Sequence, residues 1–169
     1  QWRNGVAAGA RAQFDALQAR IRPHFLFNSK NTIAALIRTR PAEAERAVED
    51  LSDLFRAALR DDSRLTTLAE ELEIASRYLA IEQLRLGERL QVRIAAADPP
   101  PVEVPALLLQ PLVENAVLHG IQPLPQGGTV ELTLERSARE VVVLVRNPRP
   151  RTPSPSRGTG TALDNVRRR

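Results

Sequence analysis

An α+β protein in two parts, helical first and mixed helix and strand afterwards, is what this sequence of 169 residues predicts. Three observations predict it. Apolar residues recur at spacings of three and four as far as Gly87, the mark of amphipathic helices. After Gly87 the pattern changes to alternation, as in "GGTVELTLER", the mark of half-buried strands. A chain with 43% hydrophobic and 26% charged residues has enough apolar material to bury a core.

The first helix is expected from about Gln13 to Arg38. Phe14, Leu17 and Ile21 form one seam that continues as His24, Asn28 and Asn31, and Leu26, Ile33 and Ile37 form a second, apolar stripe. Pro23 falls inside this span, where it removes a backbone donor and crowds the carbonyl of Ala19, so a bend is expected that turns the His24 face outward. Pro41 suits the first turn of a second helix with Val48, Leu51, Leu54, Phe55 and Leu59 on one face. Two helices cannot cover both apolar stripes by themselves, which predicts a homodimer through a four-helix bundle. A third helix starts at a capping-box spacing, Thr67 to Glu70, and stops at Gly87. "RLQVRIAAA" then reads as a strand, "DPPPVEVP" as a stiff connection, and "ALLLQPLVENAVLHG" as a helix opened by Pro105 and closed by Gly120. Two more strands, "GGTVELTLER" and "EVVVLVRN", are joined by a turn at "SAR". The stretch "PRPRTPSPSRGTG" reads as a mobile loop and "TALDNVRRR" as the start of a helix.

Composition removes several function classes. With no cysteine and two histidines, disulfides, thiolate chemistry and histidine-rich metal sites are excluded, which leaves His24, His119, carboxylates, hydroxyls and amides. A net charge of +4 invites a nucleic-acid reading, but the arginines are interleaved with acidic residues, as in "AEAERAVEDL", and this describes a mixed-sign solvated surface. No direct nucleic-acid partner is expected. No apolar run is long enough to span a bilayer. The chain lacks methionine and starts at Gln1, so it reads as a piece of a longer protein.

Two constellations carry chemistry. His24 and Asn28 stand one above the other on a helix face, and an exposed neutral imidazole is a good nucleophile. In "LLLQPLVENAVLHG", Leu109, Leu112, Val113 and Ala116 form an apolar face, Asn115 and His119 align on another, and Glu114 is offset by about 100°. The Asn115 amide oxygen suits Mg²⁺, a hard cation, and Glu114 suits a metal-bound water. Gly158 and Gly160 precede a helix start, where free N–H groups favour phosphate.

In this order, "RPHFLFNSKN", "LLLQPLVENAVLHGI" and "GTGTALDNVRRR" resemble the H, N and G boxes of the LytS/YehU-type sensor histidine kinases, and "ALDNV" with "VRNPRP" is most similar to the AlgZ-like branch. The resemblance runs from about Gln13 to Arg169 and includes "YLAIEQLRLGERLQV". It implies that residues 1–64 hold a signalling helix and the dimerisation and phosphotransfer helices. Residues 65–169 would form a Bergerat/GHKL-type α/β sandwich that binds ATP, with the N box at 108–121, a lid at about 148–160 and the G box at 158–169. His24 would be the phosphoacceptor and Asn28 its orienting neighbour. Asn115 would hold Mg²⁺, Glu114 would assist or act as base, His119 would reach the phosphates, Gly158 and Gly160 would cradle them, and Asn147 would stand at the adenine-reading place. The cofactors implied are ATP and Mg²⁺, and the partners are a second copy and a response regulator, typically of LytTR type. The place implied is the cytoplasmic side of a bacterial inner-membrane sensor, anchored by a segment outside this chain.

Phe25 follows the acceptor where many other histidine kinases have a carboxylate, and in this it matches the family. The sequence departs from the family pattern elsewhere. Lys30 interrupts the Leu26, Ile33, Ile37 stripe, Asn147 replaces an aspartate, and Pro148 replaces a glycine. The family continues with further strands past its G box, so this chain is expected to lack the end of its sheet and to bind ATP with Mg²⁺ more weakly than a longer version. The alternative is a catalytically silent dimerisation and docking module of the same family.

Overall fold

The computed structural model describes residues 21–60 and 65–149, and the chain divides into two compact units, 1–61 and 62–169. The first unit is a helical hairpin of α1, Pro23–Leu36, and α2, Pro41–Ala58. Pro23 is at the start of α1, preceded by Arg22 at φ −58° and ψ 126°. The expected bend inside one long helix is therefore corrected. A proline in the first turn removes an N–H that would have no intrahelical acceptor, so it opens the helix at little cost. The part of the expected helix before residue 21 lies outside the described residues.

The buried faces also differ from the expected stripes. On α1 the buried residues are Phe25, Ser29 and Leu36, and on α2 they are Ala44, Ala47, Leu54, Ala57 and Ala58. Four alanines let the helices approach closely, and Phe25 and Leu36 each contribute about 1.5–3 kcal/mol of burial. The Ser29 hydroxyl is satisfied by donating to the Phe25 carbonyl at 2.8 Å. Of the expected core, Leu26, Ile33, Leu51 and Phe55 are half-buried, whereas Ile37, Val48 and Leu59 are 57%, 48% and 50% exposed. Lys30 is exposed, with Nζ 5.4 Å from the centre of the Phe27 ring, so it meets no desolvation penalty.

The second unit opens with β1, Leu65–Thr67, which pairs antiparallel with β3, Glu103–Pro105. The stiff connection expected at "DPPPVEVP" thus ends as a short strand. Thr67 then caps α3, Leu68–Leu86: its hydroxyl accepts the Glu70 N–H at 3.2 Å while the Glu70 carboxylate accepts the Thr67 N–H at 3.3 Å. Gly87 ends α3 at φ +58°, where a side chain would be strained. A short 3₁₀ turn, Gly87–Arg89, leads into β2, Leu90–Ala95.

Three strands form the main sheet in the order β2, β4 (Gly128–Arg136), β5 (Val141–Arg146). β2 runs parallel to β4, with Val92 opposite Val130, and β4 runs antiparallel to β5, with Leu134 opposite Val143. Parallel neighbours require a crossover, and here it contains β3 and the helical segment that carries the second constellation. That segment is α4, Gln110–Asn115, continued by a π-helical turn, Ala116–Ile121. α3 packs on α4 and β2, and the π turn packs on β4. Leu72, Leu79, Leu90, Val113, Val117, Ile121, Val130 and Leu132 fill this core. The "SAR" turn is present: the Ser137 hydroxyl accepts the Glu140 N–H at 3.1 Å and Ser137 N–H donates to the Glu140 carbonyl at 2.9 Å.

Candidate functional site

His24 stands exposed in the first turn of α1 because Pro23 starts the helix one residue earlier and Phe25 takes the inward position. Asn28, one turn on, brings its amide nitrogen to 3.2 Å from Nδ1 and 3.3 Å from Nε2 of the imidazole. Near-equal distances to both nitrogens place the amide over the ring face, since an in-plane approach at that range would collide with Cε1. The ring is thus held from below and open on its solvent side.

The second constellation is built on a helix that starts later and ends later than expected. Leu107, at φ +57°, cannot belong to an α-helix, so α4 begins at Gln110 instead of following Pro105. Past Asn115 the chain widens into the π turn, closed by Gln122 N–H on the Val117 carbonyl at 3.0 Å, and runs through Gly120 to Ile121. Asn115 and His119 are half-exposed on this segment. Glu114 is 7% exposed, and its Oε1 accepts from Gln110 Nε2 at 2.8 Å. Gln110 is 2% exposed, and its own Oε1 is buried with no hydrogen-bond partner.

Asn147, just past β5, comes against this segment. A Cβ on Gly120 would lie 2.2 Å from Asn147 Nδ2, so the absence of a side chain at Gly120 lets the two meet. Nδ2 donates to the Pro148 carbonyl at 2.9 Å, and Pro148 in turn covers Gly128. The structure therefore brings together His24 with Asn28 in one unit, and Glu114, Asn115, His119 and Asn147 around one helical segment in the other. Gly158 and Gly160 lie outside the described residues.

Three polar residues that the sequence reading passed over belong to this surround: Gln110, Glu71 and Arg89. Glu71 accepts the backbone N–H groups of Leu107, Leu108 and Leu109, and Arg89 donates to the carbonyls of Gln122 and Leu124. A signal for Glu71 exists in the sequence. It stands on the apolar face of its helix, three residues after Leu68 and four before Ala75, where a carboxylate needs a buried partner.

Among the described residues no group of three or more His, Cys, Asp or Glu converges, so they form no all-protein metal cage. Oxygen donors are present on the exposed side, and no described helix is long and apolar enough to cross a membrane.

The family model described as histidine kinase matches residues 12–90. The sensor histidine kinase BtsS of Escherichia coli strain K12 is 37% identical over 148 residues, covering 87% of this chain and 26% of BtsS. The sensor histidine kinase YpdA of the same strain is 39% identical over 139 residues, covering 81% and 24%. The sensor histidine kinase/phosphatase LytS of Staphylococcus aureus strain N315 is 37% identical over 139 residues, covering 80% and 24%. The chain spans about a quarter of the length of these relatives. With the family match over the hairpin and third helix and the likeness extending through the Asn115 segment, the chain belongs to the LytS/YehU-type family of sensor histidine kinases.

Proposed function

We propose that this chain is the cytoplasmic kinase portion of a two-component sensor, in which His24 accepts the γ-phosphoryl group of ATP and passes it to an aspartate of a response regulator, of LytTR type. The observation that carries this reading is the exposed His24 stacked on Asn28 in a chain that also presents Asn115 and His119 half-exposed on one segment.

The residues suit the chemistry. Phosphoryl transfer needs an in-line nucleophile and neutralisation of the phosphate charge more than it needs covalent help from the protein. His24 offers a ring nitrogen lone pair, and Asn28 fixes the ring's tilt. Because His24 is in the first turn of α1, the charge it gains would lie at the positive end of the helix dipole. Asn115 supplies the amide oxygen that would hold Mg²⁺. Mg²⁺ keeps several waters and takes few protein ligands besides the phosphates, so one amide oxygen with one nearby carboxylate would serve. When bound, Mg²⁺ would supply charge neutralisation at the phosphates. Glu114, buried beside Gln110, would take a hydrogen bond from a metal-bound water, and His119 follows Asn115 by four residues on the same segment. Asn147 and the glycines 158 and 160 complete the reading as base-facing and phosphate-cradling positions of a Bergerat/GHKL-type sandwich.

The hairpin serves as the dimerisation element. Phe27, Ile37, Val48 and Leu59 leave an apolar surface on a single copy, and a second hairpin would cover it as a four-helix bundle. The membrane anchor would belong to a segment outside this chain, and the aspartate-bearing regulator, not nucleic acid, is its partner.

The test is ³²P labelling with ATP and Mg²⁺ in the full-length protein. An acid-labile, base-stable label that disappears in His24→Gln is the expected result. Labelling of His24→Gln equal to the unmodified protein removes the reading.

A further inference from the structure

The segment that carries Asn115 and His119 is gripped at both ends by side chains from one continuous stretch, Leu68–Arg89. At the front, Glu71, 3% exposed on α3, accepts the Leu107 N–H at 2.7 Å through Oε1 and the Leu108 and Leu109 N–H groups at 2.6 and 2.9 Å through Oε2. These bonds hold Leu107 at φ +57°, a conformation that costs a leucine about 1–2 kcal/mol. The turn they hold delivers Leu109 as the residue from which α4 starts. At the back, Arg89 Nη2 donates to the carbonyls of Gln122 at 3.1 Å and Leu124 at 3.0 Å, immediately past the π turn. The Arg89 carbonyl also fills the space where a Cβ of Gly127 would go.

The two grips share a logic. A carboxylate meets backbone N–H groups leading into the helical segment and a guanidinium meets carbonyls just past its end, where the Leu124 carbonyl also accepts the Gly127 N–H at 3.0 Å, each sign matched to the peptide dipoles it touches. All five bonds go to backbone atoms, so they set where the segment lies without depending on its side chains. Charge-assisted bonds of this kind are stronger than neutral ones, and removing a buried acceptor from three N–H groups would leave each of them unsatisfied.

We propose that Glu71 and Arg89 are positioning residues: working from the two ends of one stretch, they preset the Gln110–Ile121 segment so that Asn115 and His119 face the nucleotide together. This inference rests on the reading of that segment as the nucleotide-facing element.

The experiment uses the whole chain and two readouts, amide hydrogen exchange across 107–124 and calorimetric titration with ATP and Mg²⁺. Glu71→Gln keeps the size of the side chain and one acceptor oxygen but sets an NH₂ group against backbone N–H donors. It is expected to speed exchange through 107–121, not just at 107–109, and to weaken nucleotide binding of the folded protein roughly tenfold. Arg89→Ala is expected to speed exchange over 116–124, and Arg89→Lys to recover part of that loss. Glu73→Gln, on the exposed face of α3, should change neither readout. Faster exchange confined to 107–109 with unchanged affinity per folded molecule overturns the proposal. So does an affinity loss that only tracks the unfolded fraction. Should Glu71→Gln fail to fold, unchanged exchange and affinity in both Arg89 variants overturns it equally. Asn115→Ala with unaltered affinity would instead remove the nucleotide reading, and the exchange readout would still decide the grip.

Discussion

The Asn147 side chain rests against Gly120 so closely that a Cβ built on the glycine would lie 2.2 Å from Nδ2, 2.7 Å from Cγ and 2.9 Å from Cβ of Asn147. In a solvated helix, Gly→Ala is ordinarily stabilising by about 1 kcal/mol. Here the sign should reverse. Gly120→Ala is expected to lose about 1–3 kcal/mol in urea unfolding, because Asn147 Cβ is not the end of a flexible side chain and cannot swing clear. Asn147→Gly in the same background removes all three colliding atoms and should restore most of the loss. A stable Gly120→Ala protein would show that the end of β5 does not press on the π turn.

Two other glycines separate backbone strain from steric exclusion. Gly87 and Gly127 both have positive φ, at +58° and +70°, but a Cβ at Gly87 meets nothing within 4 Å, while one at Gly127 would lie 1.9 Å from the Arg89 carbonyl oxygen. Gly87→Ala should cost about 1–3 kcal/mol, the strain alone, since Gly87 at ψ −134° lies outside the left-handed helical region. Gly127→Ala should cost about 3 kcal/mol or more, because it displaces backbone as well. Equal midpoints for the two variants in denaturant would contradict this.

Phosphoryl transfer should divide between the two histidines. His24→Gln is expected to abolish labelling and leave nucleotide binding intact, because His24 and the Asn115 segment belong to different units. His119→Gln should weaken nucleotide binding yet still pass on phosphate once His24 has been phosphorylated chemically. Competition with a fluorescent nucleotide, alongside transfer to a regulator, reads both.

The exposed apolar positions of the hairpin lead to a prediction about assembly. Ile37→Asp and Leu59→Asp each place a charge where about 1.5–3 kcal/mol of burial is expected on pairing, so each should weaken the dimer tenfold or more in sedimentation equilibrium. Lys30→Leu should have a smaller effect, since Lys30 already rests its charge over the exposed Phe27 ring. An unmodified chain that is monomeric at tens of micromolar would remove the homodimer.

What the sequence determined by itself was local. Thr67 and Glu70 wrote the start of α3, Gly87 its end, alternation wrote β4, the apolar run in "EVVVLVRN" wrote β5, and the order of the His24 and Asn115 segments pointed to the family, because each signal lies within a few residues. The tertiary structure decided what depends on distant partners. Pro23 became the first residue of a helix instead of a bend within one, and the inward face of α1 passed to Phe25, Ser29 and Leu36, because the alanines of α2 accept that side. "DPPPVEVP" gained a strand because β1 offered an edge to it. Glu71, which reads in sequence as one more acid among "AEELE", finds its partners 36 to 38 residues away, and only there does its charge become the acceptor for a turn that puts a leucine in the left-handed region. Periodicity shows that a helix has an apolar face, but which side is buried is settled by the neighbour that packs there, and a buried carboxylate is explained only by the donors that the fold brings to it.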